Sequence, residues 1–277
     1  MHCYHAFGLN IHSDIPFVEF LPATATMDVE ITSGRLPTHI TENSQQILIR
    51  TPHATFFVEQ GKSITYHKEV DTDEDTLRLF LVGSAMGALL QQRGHIVLHG
   101  NAISYDQQTC TVFVGNQGAG KSTTAAWHCQ QGATILADDV SAIFFDTQGK
   151  PYVMPSYPQL KLWQSSIDLL NISSQDLRKL RQEYDKYALP ITENFSSTPR
   201  PVTRIIEISD QKNEHLTTIK KLDMLMTHTY RYHFIQRMQR TPDYAKLLLR
   251  LAARVDILTD CRPVLSQIPQ PILTFQQ

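Results

Sequence analysis

The chain has 277 residues, of which 42% are hydrophobic and 19% charged, a composition typical of a folded protein rather than a disordered one. The formal net charge of −2 gives no overall basic field, which argues against nucleic acid as a partner. No apolar run is long enough to span a bilayer, no signal pattern opens the chain and the four cysteines lack paired spacing, so a cytoplasmic protein without membrane association is expected.

Residues 1–72 are predicted to form a small β-rich N-terminal region. Short apolar and β-branched runs alternate there with turn clusters, at Phe17–Phe20, Met27–Ile31, Gln46–Ile49 and Thr55–Val58. Gly61 and Lys62 predict a hairpin turn between two of these strands. A helix is expected next over about residues 74–93, with Asp73 as its N-cap and Gly94 as its stop.

The next motif is a phosphate-binding loop. Gly115–Ser122 reads GNQGAGKS and fits the pattern G-x-x-x-x-G-K-[ST], with a strand-like run before it and a helix start after it. Such a loop wraps its backbone N–H groups around phosphate oxygens, while the lysine reaches the β- and γ-phosphates and the serine hydroxyl ligates Mg²⁺. The residues predicted to bind nucleotide are Gly115, Asn116, Gln117, Gly118, Ala119, Gly120, Lys121, Ser122 and Thr123.

A pair of carboxylates follows the loop helix. Thr134–Ala137 predicts a second strand, which ends at Asp138 and Asp139 after a helix over about residues 121–131 closed by Gly132. Parallel strands bring their carboxyl ends to one edge of a sheet, so the pair is expected beside the phosphate loop, where a Mg²⁺ ligand belongs. The alternative interpretation is an ordinary solvated turn.

The rest of the chain carries weaker signals. A hairpin is predicted around Gly149, and Pro190–Pro201 is interpreted as a connector. The arginines of Arg178–Arg181 are interpreted as the solvated face of a helix. Further helices are expected near residues 162–184, 219–238 and 241–254, and strands near 202–208 and 255–258.

Three segments together resemble the core of HPr kinase/phosphorylase, whose nucleotide site is related to that of phosphoenolpyruvate carboxykinase. They are Leu98–Ser104 (LHGNAIS), the loop itself, and Leu136–Val140 (LADDV). Tyr4–Pro16, Tyr157–Trp163 and Asp185–Tyr187 are similar to a divergent, stand-alone group of HPr-kinase-like proteins, some of which phosphorylate precursors of ribosomally made peptides such as lasso peptides. The Gly-rich basic signature that follows the aspartate pair in true HPr kinase/phosphorylases has no copy here, so neither phosphorolysis nor HPr as substrate is expected.

The resemblance implies an α/β fold with a phosphate-loop core of the HPr kinase and phosphoenolpyruvate carboxykinase type, occupying residues 73–277 behind the β-rich region. It implies an ATP- and Mg²⁺-dependent kinase that transfers the γ-phosphate to a hydroxyl, expected to be a serine of a peptide or small protein. The sequence leaves two alternatives open, a small-molecule kinase and a phosphate-loop ATPase switch that works with a partner protein. True HPr kinases assemble as oligomers, and a homo-oligomer is left open for this chain.

The two motifs and the resemblance together also imply a role for each residue of the site. Asp138 is expected to be the general base and Asp139 to join Ser122 on the metal, while Lys121 neutralises phosphate charge. His99 is expected to position Asp138 or to bond the transferring phosphate, its alternative being a half-buried histidine at a strand end.

Two further cations are candidates for binding substrate or phosphate. Lys161 lies in the family-like run LKLW, and Arg231 is placed on a helix, where its alternative is a surface residue. Charge develops on a phosphoryl group during transfer, so a second cation beyond the loop lysine is useful to such a site.

Overall fold

The computed structural model describes residues 1–181, 183–212 and 215–261. Within these residues it is a mixed α/β structure with three sheets. The strands are β1 (His2–Ala6), β2 (Leu9–Ser13), β3 (Leu21–Pro22), β4 (Val29–Ser33), β5 (Gln46–Arg50), β6 (Ala54–Glu59), β7 (Ser63–Lys68), β8 (Ile96–Ser104), β9 (Cys110–Val114), β10 (Thr134–Ala137), β11 (Val140–Phe145), β12 (Pro151–Met154), β13 (Gln159–Trp163), β14 (Arg178–Arg181), β15 (Tyr184–Pro190), β16 (Arg200–Ser209) and β17 (Asp256–Cys261). The α-helices are α1 (Glu74–Phe80), α2 (Met86–Gln92), α3 (Lys121–Gln130), α4 (Gln164–Leu169), α5 (Thr218–Thr227), α6 (Tyr232–Arg237) and α7 (Thr241–Ala252). In the described part of the chain, no helix combines the length and the apolar character needed to cross a membrane.

The N-terminal region forms one seven-stranded sheet in the order β3-β1-β2-β4-β7-β6-β5. Its strands alternate in burial, as in β6, where Ala54, Phe56 and Val58 face the core. The predicted hairpin at Gly61 is confirmed, since β6 and β7 pair antiparallel on either side of it. The predicted strand at Phe17–Phe20 is wrong: these residues form a turn, and the two phenylalanine rings stack at 4.6 Å inside an aromatic cluster.

The predicted helix over residues 74–93 is confirmed as three consecutive helical pieces, with a π-helical segment (Leu81–Ala85) between α1 and α2. Asp73 caps it as predicted, because its side chain accepts a hydrogen bond from the Thr76 N–H at 2.7 Å. The helix lies in a hydrophobic core that runs without a break from the N-terminal sheet to the second sheet. A domain boundary at residue 72 stays a prediction.

The second sheet contains β8, β9, β10, β11, β12, β16 and β17. Strand β8 has neighbours on both of its edges. Strand β9 pairs with one edge, β10 and then β11 pair with the other, and all three are antiparallel to β8. Strands β9 and β10 therefore run in the same direction, but β8 separates them. Their carboxyl ends, Val114 and Ala137, pair near Gly100 and Ala102 of β8, which places both at the same level of the sheet.

The helix predicted over residues 162–184 is wrong over most of its length, and residues 162–163, 178–181 and 184 belong to a third sheet in the order β13-β15-β14. Only α4 is helical there, and Asn171, with a φ of 53°, follows its end in the left-handed conformation. Arg178–Arg181 is not a solvated helix face but an edge strand, whose Lys179 pairs across to Asp185 at 2.9 Å. The prediction failed because short apolar runs fit the helix period and the strand period equally well, and here the pairing between the strands decides the structure.

The predicted helix over residues 219–238 is interrupted. Helix α5 ends at Thr227 and α6 begins at Tyr232, and the residues between them pair with β8 through the Tyr230 N–H and the Val97 carbonyl at 2.8 Å. Arg231 consequently does not lie inside a helix; it is the exposed N-cap of α6, with a φ of 52°. The other expected elements near residues 142–154, 202–208, 241–254 and 255–258 are confirmed, and Pro190–Pro201 does connect β15 to β16.

Candidate active site

The phosphate-loop segment lies between β9 and α3, the strand-loop-helix context that its sequence predicts. Gly118 and Gly120 have φ values of 82° and 96°, which residues with side chains rarely adopt, so the glycines allow the loop to curl. The curl brings the start of α3 to face the loop interior. The first N–H groups of a helix have no partner inside it, and they carry its positive dipole end, so this point attracts an anion.

Lys121 closes the loop on itself. Its ammonium donates to the carbonyl oxygens of Gly115 at 2.8 Å and Asn116 at 3.1 Å. Burial lowers the pKa of Lys121, although the nearby Asp139 acts in the opposite direction. The lysine is therefore positioned over the loop and held by neutral acceptors, which an anionic phosphate can replace.

The two aspartates occupy a break between β10 and β11. These strands run end to end along the same edge of β8, and the Val140 N–H bonds the Asp138 carbonyl at 2.7 Å across a three-residue turn. Asp139, at the centre of the turn, has a φ of 61°. A left-handed aspartate inside a strand edge is unusual and costs backbone strain, and such strain concentrates at functional sites.

Asp138 is fully buried and receives three hydrogen bonds. The Asn101 amide (2.5 Å) and the Ser122 hydroxyl (3.2 Å) donate to Oδ1, and the Lys161 backbone N–H (2.7 Å) donates to Oδ2. Burial, together with the neighbouring Asp139 charge, raises the pKa of Asp138 to about 6. This carboxylate links the head of α3 to strands β8 and β13.

Asp139 has two partners, a lysine and a histidine. The Lys161 ammonium lies 3.1 Å from Oδ2, and Nε2 of His99 lies 3.7 Å from Oδ1. Burial opposes ionisation of Asp139, but the Lys161 charge, with help from the neighbouring His99 ring, outweighs it and holds the pKa of Asp139 well below its usual range. Lys161 is itself buried, yet Tyr157 and the two aspartates raise its pKa well above normal. The pair is therefore charged and fixed.

The glycine after His99 has a packing reason. A Cβ at Gly100 would lie 2.4 Å from the Phe113 carbonyl oxygen, because β8 and β9 approach closely where the phosphate loop begins. No side chain fits at this position. In the His-Gly pattern, the histidine therefore lies beside the aspartates, and the glycine allows β9 to pack closely against β8.

A second, partly buried pair beside this site was not predicted from the sequence. The His228 ring bonds the Glu207 carboxylate at 2.7 Å, and the His228 carbonyl accepts the backbone N–H of His99 at 2.8 Å. Glu207 pairs with Val114, the last strand residue before the loop. No local signal in the sequence reveals this contact, since it depends on the break between α5 and α6.

The candidate residues thus fall into two groups. The structure brings together Lys121, Ser122, Asp138 and, through Asp139, His99 and Lys161. Arg231 is exposed and stacks on Tyr230, with the guanidinium 5.8 Å from the ring centroid. The Tyr230 ring in turn lies against that of His99, with the two ring centroids 5.7 Å apart.

The oxygen groups around Ser122 suit magnesium. Mg²⁺ prefers hard oxygen ligands and usually takes only one or two from the protein, with phosphates and waters completing its shell. The Ser122 hydroxyl directs its hydrogen to Asp138, which leaves its oxygen lone pairs available to a cation. Over residues 1–181, 183–212 and 215–261, no cluster of three or more His, Cys, Asp or Glu side chains forms a separate metal centre.

Comparison with known proteins gives little further support. No protein-family model matches the chain, and no curated protein matches it. Among solved structures, it has a distant similarity to the Hpr(Ser) kinase/phosphatase from Coxiella burnetii, with 9% sequence identity and a TM-score of 0.31. The similarity covers 53% of this chain and 96% of the other. A TM-score this low does not establish a shared fold, so the chemistry has to be judged from the residues themselves.

Proposed function

We propose that the protein is an ATP- and Mg²⁺-dependent phosphotransferase that moves the γ-phosphate to a hydroxyl, with a serine of a peptide or small protein as the acceptor. One observation carries the proposal: the loop serine is bonded to Asp138 while the next residue, Asp139, belongs to a separate group with His99 and Lys161. One carboxylate that orients the metal-binding serine of the loop, with a second carboxylate beside it for the acceptor hydroxyl, supplies groups that phosphoryl transfer uses.

The contacts favour exchanging the roles that the sequence suggested for the two aspartates, with Asp138 supporting the metal and Asp139 acting as the general base. Asp138 is on the metal side, because it orients the Ser122 hydroxyl. Its pKa of about 6 would suit a general base, but the residue is fully buried and both its oxygens accept hydrogen bonds, so an incoming hydroxyl cannot reach it. The Asp139 side chain is 20% exposed and is the carboxylate that a substrate can approach.

In the proposed reaction, Lys121 leaves its loop carbonyls and binds the β- and γ-phosphates. A bound Mg²⁺ would withdraw charge from the phosphate oxygens, held by Ser122 with Asp138 behind it. Asp139 accepts the proton of the acceptor hydroxyl as its oxygen bonds to the γ-phosphorus and the bond to the β-phosphate oxygen breaks, releasing ADP. Lys161 and His99 keep Asp139 ionised and oriented for that step.

The test is mass spectrometry of candidate acceptors after incubation with ATP and Mg²⁺, using peptides encoded beside the gene, together with nucleotide binding by calorimetry. Asp139→Asn should lower transfer by at least about 100-fold and leave Mg·ATP binding within about threefold. Asp138→Asn and Ser122→Ala should both weaken Mg²⁺-dependent binding of ATP. Asp243→Asn, an exposed aspartate on α7, is the matched control.

Three results would redirect the proposal. If Asp138→Asn abolishes transfer with binding intact while Asp139→Asn loses binding, the assignment expected from sequence is the right one. ATP hydrolysis without any acceptor would instead indicate an ATPase, and phosphate found only on a small molecule would indicate a small-molecule kinase. Absence of ATP binding in the unaltered protein refutes the proposal entirely.

A further inference from the structure

The three-stranded sheet presents one face to the active site. Lys161 and Trp163 are two residues apart on β13, so their side chains lie on the same face, and Lys186 of β15 pairs directly with Trp163. The opposite face carries Leu160 and Leu162, which are buried in the hydrophobic core around α4. Because the Lys161 ammonium reaches Asp139, this face continues from the aspartates outward to Trp163 and Lys186.

Lys186 is held by an aromatic ring and not by a carboxylate. Its ammonium lies 5.8 Å from the Trp163 ring centroid, a cation–π arrangement, and Tyr184 packs edge-on against the same ring at 6.3 Å. Trp163 remains 45% exposed. Among the residues that the structure describes, no carboxylate forms an ion pair with Lys186, which distinguishes it from Lys161 and from Lys179 on the neighbouring strand.

The charge of Lys186 acts on the catalytic groups. Behind burial and the closer charges, it helps to lower the pKa of Lys121 and of Asp139, and it opposes the rise in the pKa of Asp138. The geometry agrees with this influence, because Lys186 lies on the sheet face whose Lys161 reaches Asp139. Two like charges that act on one site repel each other, and an anionic phosphate bound by both would replace that repulsion with two attractions.

We propose that Lys186, supported by the ring of Trp163, is a second phosphate-binding cation of this site and that it contacts the terminal phosphate of a nucleoside triphosphate. The inference rests on the proposed phosphotransferase function and adds a residue to it. Lys121 belongs to the phosphate loop and would bind the β- and γ-phosphates, while Lys186 lies on the face of the third sheet that carries Lys161. Charge that spreads over the transferred phosphoryl oxygens is then stabilised from two sides.

Calorimetry with a non-hydrolysable ATP analogue and with ADP, each with Mg²⁺, tests this role. Lys186→Gln should weaken binding of the triphosphate by at least about tenfold and of ADP by less than about threefold, since hydrogen bonds to charged groups are worth factors of this size. Lys186→Arg should restore most of the triphosphate affinity. Lys179→Gln is the matched control, a lysine of the same sheet that lies opposite Tyr187 and is paired with Asp185.

Trp163 supplies an independent readout. The chain has two tryptophans, so Trp127→Phe leaves Trp163 as the only one. In that background, the triphosphate should change the Trp163 emission more than ADP does, and Lys186→Gln should remove the difference. Circular dichroism melts show whether each variant is folded.

The possible outcomes separate this inference from the function on which it rests. Unchanged triphosphate affinity in Lys186→Gln, with affinity lost in Lys121→Ala, overturns the role of Lys186 and leaves the phosphotransferase proposal standing. Equal weakening for triphosphate and ADP overturns the assignment to the terminal phosphate. Failure of the unaltered protein to bind either nucleotide refutes both proposals.

Discussion

Replacing Gly100 with alanine tests whether the close approach of β8 and β9 sets the geometry of the site. The new Cβ would lie 2.4 Å from the Phe113 carbonyl oxygen, and this contact must open to at least 3.0 Å, a displacement of 0.6 Å or more. Backbone cannot rotate away as a flexible side chain can, so β9 must move relative to β8. Overpacking of this kind costs about 1–3 kcal/mol, and weakened ladder hydrogen bonds add about 1 kcal/mol.

We therefore expect Gly100→Ala to lower the free energy of unfolding by about 3 kcal/mol, measured by urea denaturation, with a fall in Tm of about 6–9 °C. Gly34→Ala is the matched control: its Cβ would meet only the Thr65 methyl group, at 3.0 Å, and the loss should stay below about 1 kcal/mol. Nucleotide affinity should fall in the first variant only, because Val114 leads directly into the loop. If both variants lose the same small amount, β8 and β9 are not as tightly fitted as described, and the explanation of the His-Gly pattern fails.

Two further predictions concern stability. Leu248 is fully buried on α7, so Leu248→Ala should lower the free energy of unfolding by about 2–5 kcal/mol, measured by urea denaturation. The neighbouring Leu249 is 47% exposed, and Leu249→Ala should change it by less than about 0.5 kcal/mol. Similar losses in the two variants would show that α7 does not pack as described. Burial lowers the pKa of His95 and His128 to about 4. Between pH 6.5 and 4 the unfolded chain therefore binds a proton more readily than the folded protein, and stability decreases as the pH is lowered. Since both rings are partly exposed, each histidine should lower the free energy of unfolding by at most about 1 kcal/mol at pH 5.5. Replacing both histidines with asparagine should flatten this pH dependence. An unchanged pH dependence in the double variant would contradict the prediction.

The elements that sequence predicted well are those whose signals are local. The phosphate loop, the helix capped by Asp73 and the hairpins each depend on residues within a few positions of one another. Strand β14 fell inside a predicted helix, together with the end of β13 and the start of β15, because the apolar residues there fit both periods until the three strands are paired.

The same distinction applies to the candidate site. Lys121, Ser122 and the two aspartates could be recognised from motifs, but their division of roles could not. That division depends on contacts between residues far apart in sequence, such as Asn101 with Asp138 and the Lys161 N–H with the same carboxylate. Glu207 and His228 meet only because the chain between α5 and α6 returns to β8, so no spacing could have indicated them.

The break between β10 and β11 bears on which groups of the candidate site are fixed before a ligand binds. Asp138 and Asp139 are not carried by a free loop: a paired strand holds the chain on each side of them, within two residues. The backbone of the two carboxylates is therefore fixed, whereas residues 116–118 are exposed and Lys121 is folded back onto their loop. If the proposed transfer takes place here, the aspartates would be in position before a ligand arrives, and Lys121 would be the group that changes its partners.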